Sequence, residues 1–273
     1  MPYRTTSYRY PNEALVLWLT VMAVFLVIAF TAAATVCMSG LFVLIILVIS
    51  YFGTRSQHEM LLRQAIKASP QTTSGMVNLI SESKRRLQVE PVEIYIASNR
   101  SLNAYTFGMS TPKAIVLHDS LFRVMDRDEV QFILGHEMGH VGLGHTWLNS
   151  LIGGMAGIPA PYAASYLLVI IFRWWNRACE YSADRAGLLA CNQPGKAITA
   201  LIKLESGGRI SSQDLERAFQ KIEAEDDDPI SSLVELTATH PMIINRIEQI
   251  QKYASSHEYQ QTQAKMNQNL QLA

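Results

Sequence analysis

Between Ala14 and Phe52 no side chain is charged, a run of 39 residues dominated by Leu, Val, Ile, Phe, Ala and Met. One helix crosses a ~30 Å hydrocarbon core with ~20 residues, so the run is too long for one crossing and about right for two. A break near Thr35 to Gly40 places the spans at Ala14 to Ala34 and Val36 to Phe52. A cleaved signal peptide is the competing reading, because Ala32 to Ala34 resembles an A-x-A site. Against it, the run exceeds the usual ~7 to 15 residue apolar core, and a second run follows at once. Arg4 and Arg9 precede the hairpin, Arg55, Arg63 and Lys67 follow it, and its turn carries no charge. The positive-inside bias therefore predicts both ends in the cytoplasm.

Past the hairpin the apolar positions become periodic. Helices are predicted over Gln57 to Ser69 and Thr73 to Leu87, and short strands over Val92 to Ala97 and Ala114 to His118. Asp126 followed by Glu129 makes a capping box, after which Val130, Ile133, Leu134, Glu137 and Val141 keep helical spacing until Gly142 and Gly144. A second apolar stretch, Trp147 to Phe172, is split by Gly157 to Pro161 into halves of about a dozen residues each. A helix then runs from about Phe172 to Ala190 and stops at Asn192, Pro194 and Gly195. Glu223 to Pro229 reads as an acidic surface loop, and the glutamine-rich tail after Ser255 as a frayed helix or disordered end. The expected fold is mainly α with a small β-sheet, behind an N-terminal transmembrane helical hairpin. The expected organisation is an anchor over 1–53, a single domain over 54–255 and a polar tail over 256–273.

Composition narrows the function. The 273 residues are 49% hydrophobic but only 17% charged, and the formal net charge is zero, which removes the electrostatic argument for nucleic acid. The three cysteines form no C-x-x-C pair, consistent with reduced thiols in a reducing compartment.

The chemistry lies in Leu134 to His145, LGHEMGHVGLGH. Residues four apart share one helix face, so His136 and His140 can hold one ion, with Glu137 placed to take a proton from water. His145 comes at the wrong offset for a third ligand of this helix and reads as a polar residue past its end. A catalytic zinc needs one more His, Cys or carboxylate and keeps a position for water. Glu180 can close the site, and Asp184, one turn later, can accept the free ring N–H of a ligating histidine.

At these residues the chain resembles the membrane zinc endopeptidases of the HtpX and CAAX prenyl protease type, gluzincins with a zincin-like α+β fold. The resembling segments are HEMGH at His136 to His140, EYSAD at Glu180 to Asp184, NAYTFG at Asn103 to Gly108 and THPMIINRI at Thr239 to Ile247. The resemblance implies one Zn2+ per chain at His136, His140 and Glu180, Glu137 as general base, Asp184 behind the ligands, and His240 with Arg246 near the reacting carbonyl. Physically, His240 before Pro241 opens a helix and could donate to an oxyanion, or simply cap the turn. Asn103, Ala104 and Tyr105 could pair with extended peptide by main-chain hydrogen bonds. HtpX-type relatives carry two further spans before the third ligand, whereas Trp147 to Phe172 is short for two. A single crossing there would part Glu180 from the histidines, so the stretch is expected as a hairpin that packs on the domain or dips into one leaflet.

The resulting expectation is a multi-pass inner-membrane endopeptidase with its catalytic domain in the cytoplasm. It would cut peptide or membrane-protein substrates in quality control, with the lipid bilayer as its other partner and no nucleic acid. The alternative is a non-catalytic, zinc-stabilised chaperone or adaptor. An intact Glu137 argues against that, since a structural site needs no base and commonly has four protein ligands.

Overall fold

The computed structural model describes residues 5–34, 38–89, 91–108, 112–152, 163–208 and 241–272. A four-stranded sheet has the order β1-β2-β4-β3, from β1 (Ala65–Lys67), β2 (Val92–Ala97), β3 (Ala104–Phe107) and β4 (Lys113–His118). β2 and β4 are parallel, with Ile94 opposite Ile115, while β1 and β3 add antiparallel on either side. β4 is buried along its whole length, as expected of an inner strand with an unbroken apolar centre. β3 is left at the sheet edge.

The sheet packs on α5 (Arg127–Gly142), which lies against α3 (Ser74–Leu87) and the long α7 (Ala163–Cys191). The short α4 (Leu121–Val124) and α8 (Pro194–Glu205) flank the start of α5. Asp126 caps α5 as the sequence predicts: its side chain accepts from the amides of Asp128 and Glu129, and Glu129 reaches back to the Asp126 amide at 2.8 Å. Glu129 also takes Lys203 of α8 at 2.7 Å, so a buried ion pair fixes where the helix begins.

The approach of α5 to α7 depends on small residues. A β-carbon on Gly139 would lie 2.7 Å from the methyl of Ala186, and one on Gly187 would lie 2.8 Å from the Phe132 ring. No real side chain fits such gaps, so Gly135, Gly139, Ala183, Ala186, Gly187 and Ala190 form a seam that brings the two backbones together.

The N-terminal apolar residues form α1 (Glu13–Ala34) and α2 (Met38–Arg63). Among the described residues, α1 is the one helix long and apolar enough to cross a membrane, and Trp18, Phe25 and Phe30 stand exposed on it. α1 runs antiparallel to α7: near its start Glu13 touches Ser182, and further along Val16, Leu17 and Val24 pack on Phe172, Trp175 and Cys179. Leu148 of α6 (His145–Ile152) joins the same cluster.

Several expectations are corrected. The helix predicted over Gln57 to Ser69 is not separate. α2 continues unbroken to Arg63, and Ala65 to Lys67 turn into β1, because an edge of β2 is available to pair with them. The helix expected from Phe172 starts at Ala163, so the second half of the apolar stretch is the first part of α7 rather than a short helix of its own. Helical hydrogen bonding simply continues where no Pro or Gly interrupts it. The polar tail is neither frayed nor disordered. It forms α10 (His257–Leu272), which follows α9 (Pro241–Ala254) and buries Tyr259 and Met266 in the main core. The hairpin turn at 35–37, the Gly157 to Pro161 break, the acidic loop Glu223 to Pro229 and His240 lie outside the described residues.

Candidate metal centre

His136 and His140 occupy one face of α5, and their Nε2 atoms approach to 3.2 Å. Glu180, on α7, reaches the same point: its Oε2 lies 3.6 Å from His136 Nε2 and its Oε1 3.5 Å from His140 Nε2. Four-coordinate zinc with bonds of about 2.0–2.1 Å spaces neighbouring donors about 3.3 Å apart, so the triangle has the dimensions and the N/O donor chemistry of a zinc site. These three residues form one of two described groups able to hold a metal ion.

The outer nitrogens are also engaged. His136 Nδ1 lies 2.9 Å from Asp184 Oδ1, as the sequence predicts. Arg246 of α9 grips Asp184 with two bonds, of 2.8 and 2.6 Å, and reaches Glu180 Oε2 at 3.2 Å. Burial alone would raise the pKa of Asp184 and of Glu180. Arg246 and the neighbouring imidazoles outweigh it and hold both carboxyls below the usual range. Burial likewise opposes charge on His140, but the hydrogen bond and charge of Glu180 outweigh it and raise that group. Arg246 thus faces the carboxylates rather than open cleft.

His145 has a fuller setting than a polar residue past a helix end. It opens α6 after Gly144, whose φ of +79° turns the chain, and it is buried. Its Nδ1 lies 3.0 Å from His140 Nδ1 and its Nε2 3.2 Å from Glu13 Oε1. Burial pushes its pKa down to about 4, so the ring is neutral near pH 7.

Glu137 points toward β3, where Thr106 Oγ1 donates to its Oε2 at 2.5 Å. Of the residues expected to meet substrate, Asn103 accepts the Ala104 amide on its own side chain at 3.0 Å. Tyr105 turns its ring inward against Phe107, Ala114 and Val116, leaving its main chain as the part a peptide can reach. Sequence reasoning does not single out Thr106 or Glu13, and it sets His145 outside the ligand set without its contact to His140. Thr106 lies inside the NAYTFG segment, whereas Glu13 is a single charge next to the apolar run, with no spacing that links it to His145.

This arrangement of two histidines on one helix, a glutamate between them and a distant glutamate is matched by a peptidase family. The family model of peptidase family M48 matches residues 70–254, and the chain belongs to that family of metallopeptidases. It is 29% identical over 228 residues to the plastoglobule-localized metallopeptidase 48, chloroplastic, of Arabidopsis thaliana, a match covering 76% of this chain and 65% of that protein. The chain thus spans a little under two thirds of that relative's length. It is also 25% identical over 218 residues to the protease HtpX of Acinetobacter baylyi, covering 67% of this chain and 72% of the relative. A similar match, 25% over 213 residues, is found with HtpX of Acinetobacter baumannii strain AYE.

Proposed function

We propose that the chain is a membrane-anchored, zinc-dependent endopeptidase, with one zinc held by His136, His140 and Glu180. The observation that carries the proposal is the donor triangle of 3.2–3.6 Å with Glu137 one residue from its first ligand. A bound zinc would supply Lewis acidity at a scissile carbonyl and make water acidic enough to ionise near neutral pH. Glu137 accepts the proton of the attacking water and delivers it to the leaving amine nitrogen as the C–N bond breaks. Asp184 orients His136, and Arg246 acts through Asp184 and Glu180. His240 is assigned to the developing oxyanion on the strength of the family resemblance.

Substrate would be bound as an extended peptide that adds to the free edge of β3 at Asn103 to Tyr105, as main-chain pairing at a sheet edge allows. Support for the membrane comes from the exposed apolar face of α1 and from the apolar first half of α2. Val24 lies eleven residues past Glu13, about 16 Å along α1 at 1.5 Å per residue. Because α6 and α7 pack on α1 to that depth, they would enter the bilayer beside it. This favours membrane-protein or misfolded-protein substrates, handled by a cytoplasmic domain at the inner membrane. The domain limits remain as read from sequence, except that the tail over 256–273 belongs with the catalytic domain.

Zinc analysis and casein cleavage by the wild type, Glu137→Gln and Glu180→Ala test the proposal. Glu137→Gln should keep zinc and lose cleavage, and Glu180→Ala should lose both. Equal cleavage by the wild type and Glu137→Gln, with zinc retained, would instead support a chaperone or adaptor.

A further inference from the structure

The second buried group of donors, Glu13, His145 and Cys179, lies directly behind the first. Two assignments are open to it: a second metal, or support for the proposed one. The hydrogen bonds decide. Glu13 Oε1 already receives Arg9 Nη1 at 3.1 Å, and its Oε2 receives the hydroxyl of Ser182, so a guanidinium sits where a second cation would need room. Arg9 is itself held by the Leu143 carbonyl at 3.1 Å, and the Tyr10 amide donates to Ser182 at 2.8 Å. The carboxylate is therefore held on both oxygens, by Arg9 and by Ser182, before it meets His145.

The proton positions then form one consistent chain. His140 turns Nε2 to the donor triangle, so its N–H is on Nδ1 and donates to His145 Nδ1. His145, accepting at Nδ1, carries its own proton on Nε2 and donates it to Glu13 Oε1. Every ring nitrogen has one role, and none is left over.

We propose that Glu13 and His145 act in series as positioning residues for the metal ligand His140, so that the first turn of the apolar anchor helix completes the support of the catalytic site. This rests on the zinc assignment made above. His136 is oriented by Asp184 from within the catalytic domain, whereas His140 is oriented from the segment that leads into the membrane. Partners of this kind typically change metal affinity about 10- to 100-fold.

The test uses the full chain in detergent micelles or nanodiscs. Zinc affinity is measured by chelator competition, and cobalt-substituted protein gives visible d–d spectra. The variants are Glu13→Gln, His145→Leu, His145→Asn and the double variant Glu13→Gln/His145→Leu. His145→Leu should weaken zinc binding about 10- to 100-fold and alter the cobalt bands although no ligand has changed. His145→Asn, which returns an acceptor near the Nδ1 position, should recover part of the loss. Glu13→Gln should show a smaller loss in the same direction, and the double variant should be no worse than His145→Leu. The mild Glu13→Gln change, checked by circular dichroism, guards against unfolding as the cause.

Unchanged zinc affinity and cobalt spectra in folded Glu13→Gln and His145→Leu would overturn the relay while leaving the zinc site intact. Additive losses in the double variant would overturn the serial arrangement, and two zinc ions per wild-type chain would overturn it in favour of a second metal. A wild-type chain that binds no zinc would fail the underlying assignment itself, and the relay with it.

Discussion

Thr106 on the edge strand donates its hydroxyl to the carboxylate of Glu137, Oγ1 to Oε2 at 2.5 Å, so the strand proposed to bind substrate also aims the proposed base. Replacing Thr106 with Val keeps the shape and the strand but removes the donor. Cleavage by Thr106→Val should fall about 10- to 100-fold in kcat, as expected for a misaimed catalytic group, with KM and zinc content little changed. A loss confined to KM would mean that Thr106 serves the strand and not the base.

Asp184 joins His136 to Arg246; Asp184 and His136 are buried and the Arg246 side chain is 15% exposed. Removing one member of a buried ion pair costs about 3–5 kcal/mol; Glu180 still faces Arg246 at 3.2 Å, so the lower end applies. For a chain of this size that corresponds to a fall in Tm of roughly 10 °C. Metal-free Asp184→Asn should show this fall in a thermal melt, which separates the effect on folding from any effect on zinc. A Tm equal to the wild type's would place the worth of the pair in metal binding alone.

Gly139 contributes no ligand, yet it sets the distance between the helix of the histidines and the helix of Glu180. Gly139→Val should push the helices apart at Ala183 and Ala186. Overpacking of this kind costs about 1–3 kcal/mol, and here it should also weaken zinc binding, because the donor triangle would widen. Chelator competition on the folded variant checks this, and normal affinity would show that Glu180 can follow the histidines without the tight seam.

His58, near the end of α2, stacks on Phe107 with ring centroids 3.9 Å apart, and burial lowers its pKa to about 4 from the usual 6.5. In that interval the unfolded chain binds a proton that the folded chain excludes. The stability linked to His58 is therefore fully present above pH 6.5 and is lost as the pH falls toward 4. His58→Leu should show a smaller drop in Tm between pH 7 and pH 5 than the wild type. Parallel curves for the two proteins would place the imidazole in water.

Much of the site can be read directly from residue order, because its geometry is local or depends on helical period. His136, Glu137 and His140 lie within little more than one turn of α5, and Asp126 with Glu129 marks where that helix begins. The i to i+4 spacing of Glu180 and Asp184 also survives in the structure, one at the donor triangle and the other on His136 Nδ1. Contacts between distant segments carry no such signal. Nothing in the neighbourhood of Glu13 indicates that it meets His145, and the ordinary reading of a charge beside an apolar run is a flank at the membrane surface. Gly135 and Gly139 look like weak points in a helix until α7 is seen against them. Arg246 illustrates the intermediate case: its segment was singled out, but its partners Asp184 and Glu180 became known only from the packing of α9.

The bond between Glu13 and Ser182 spans 169 positions of the chain. During synthesis α1 leaves the ribosome long before residue 182 exists, so the proposed anchor can be inserted while its partner is still unmade. Contacts this distant close late, since the loop entropy must be overcome before the contact stabilises anything. The hydrolytic centre would then mature only after most of the polypeptide has been translated and brought back to its own beginning. Such a delay would keep the nascent chain inactive next to its own unfolded segments.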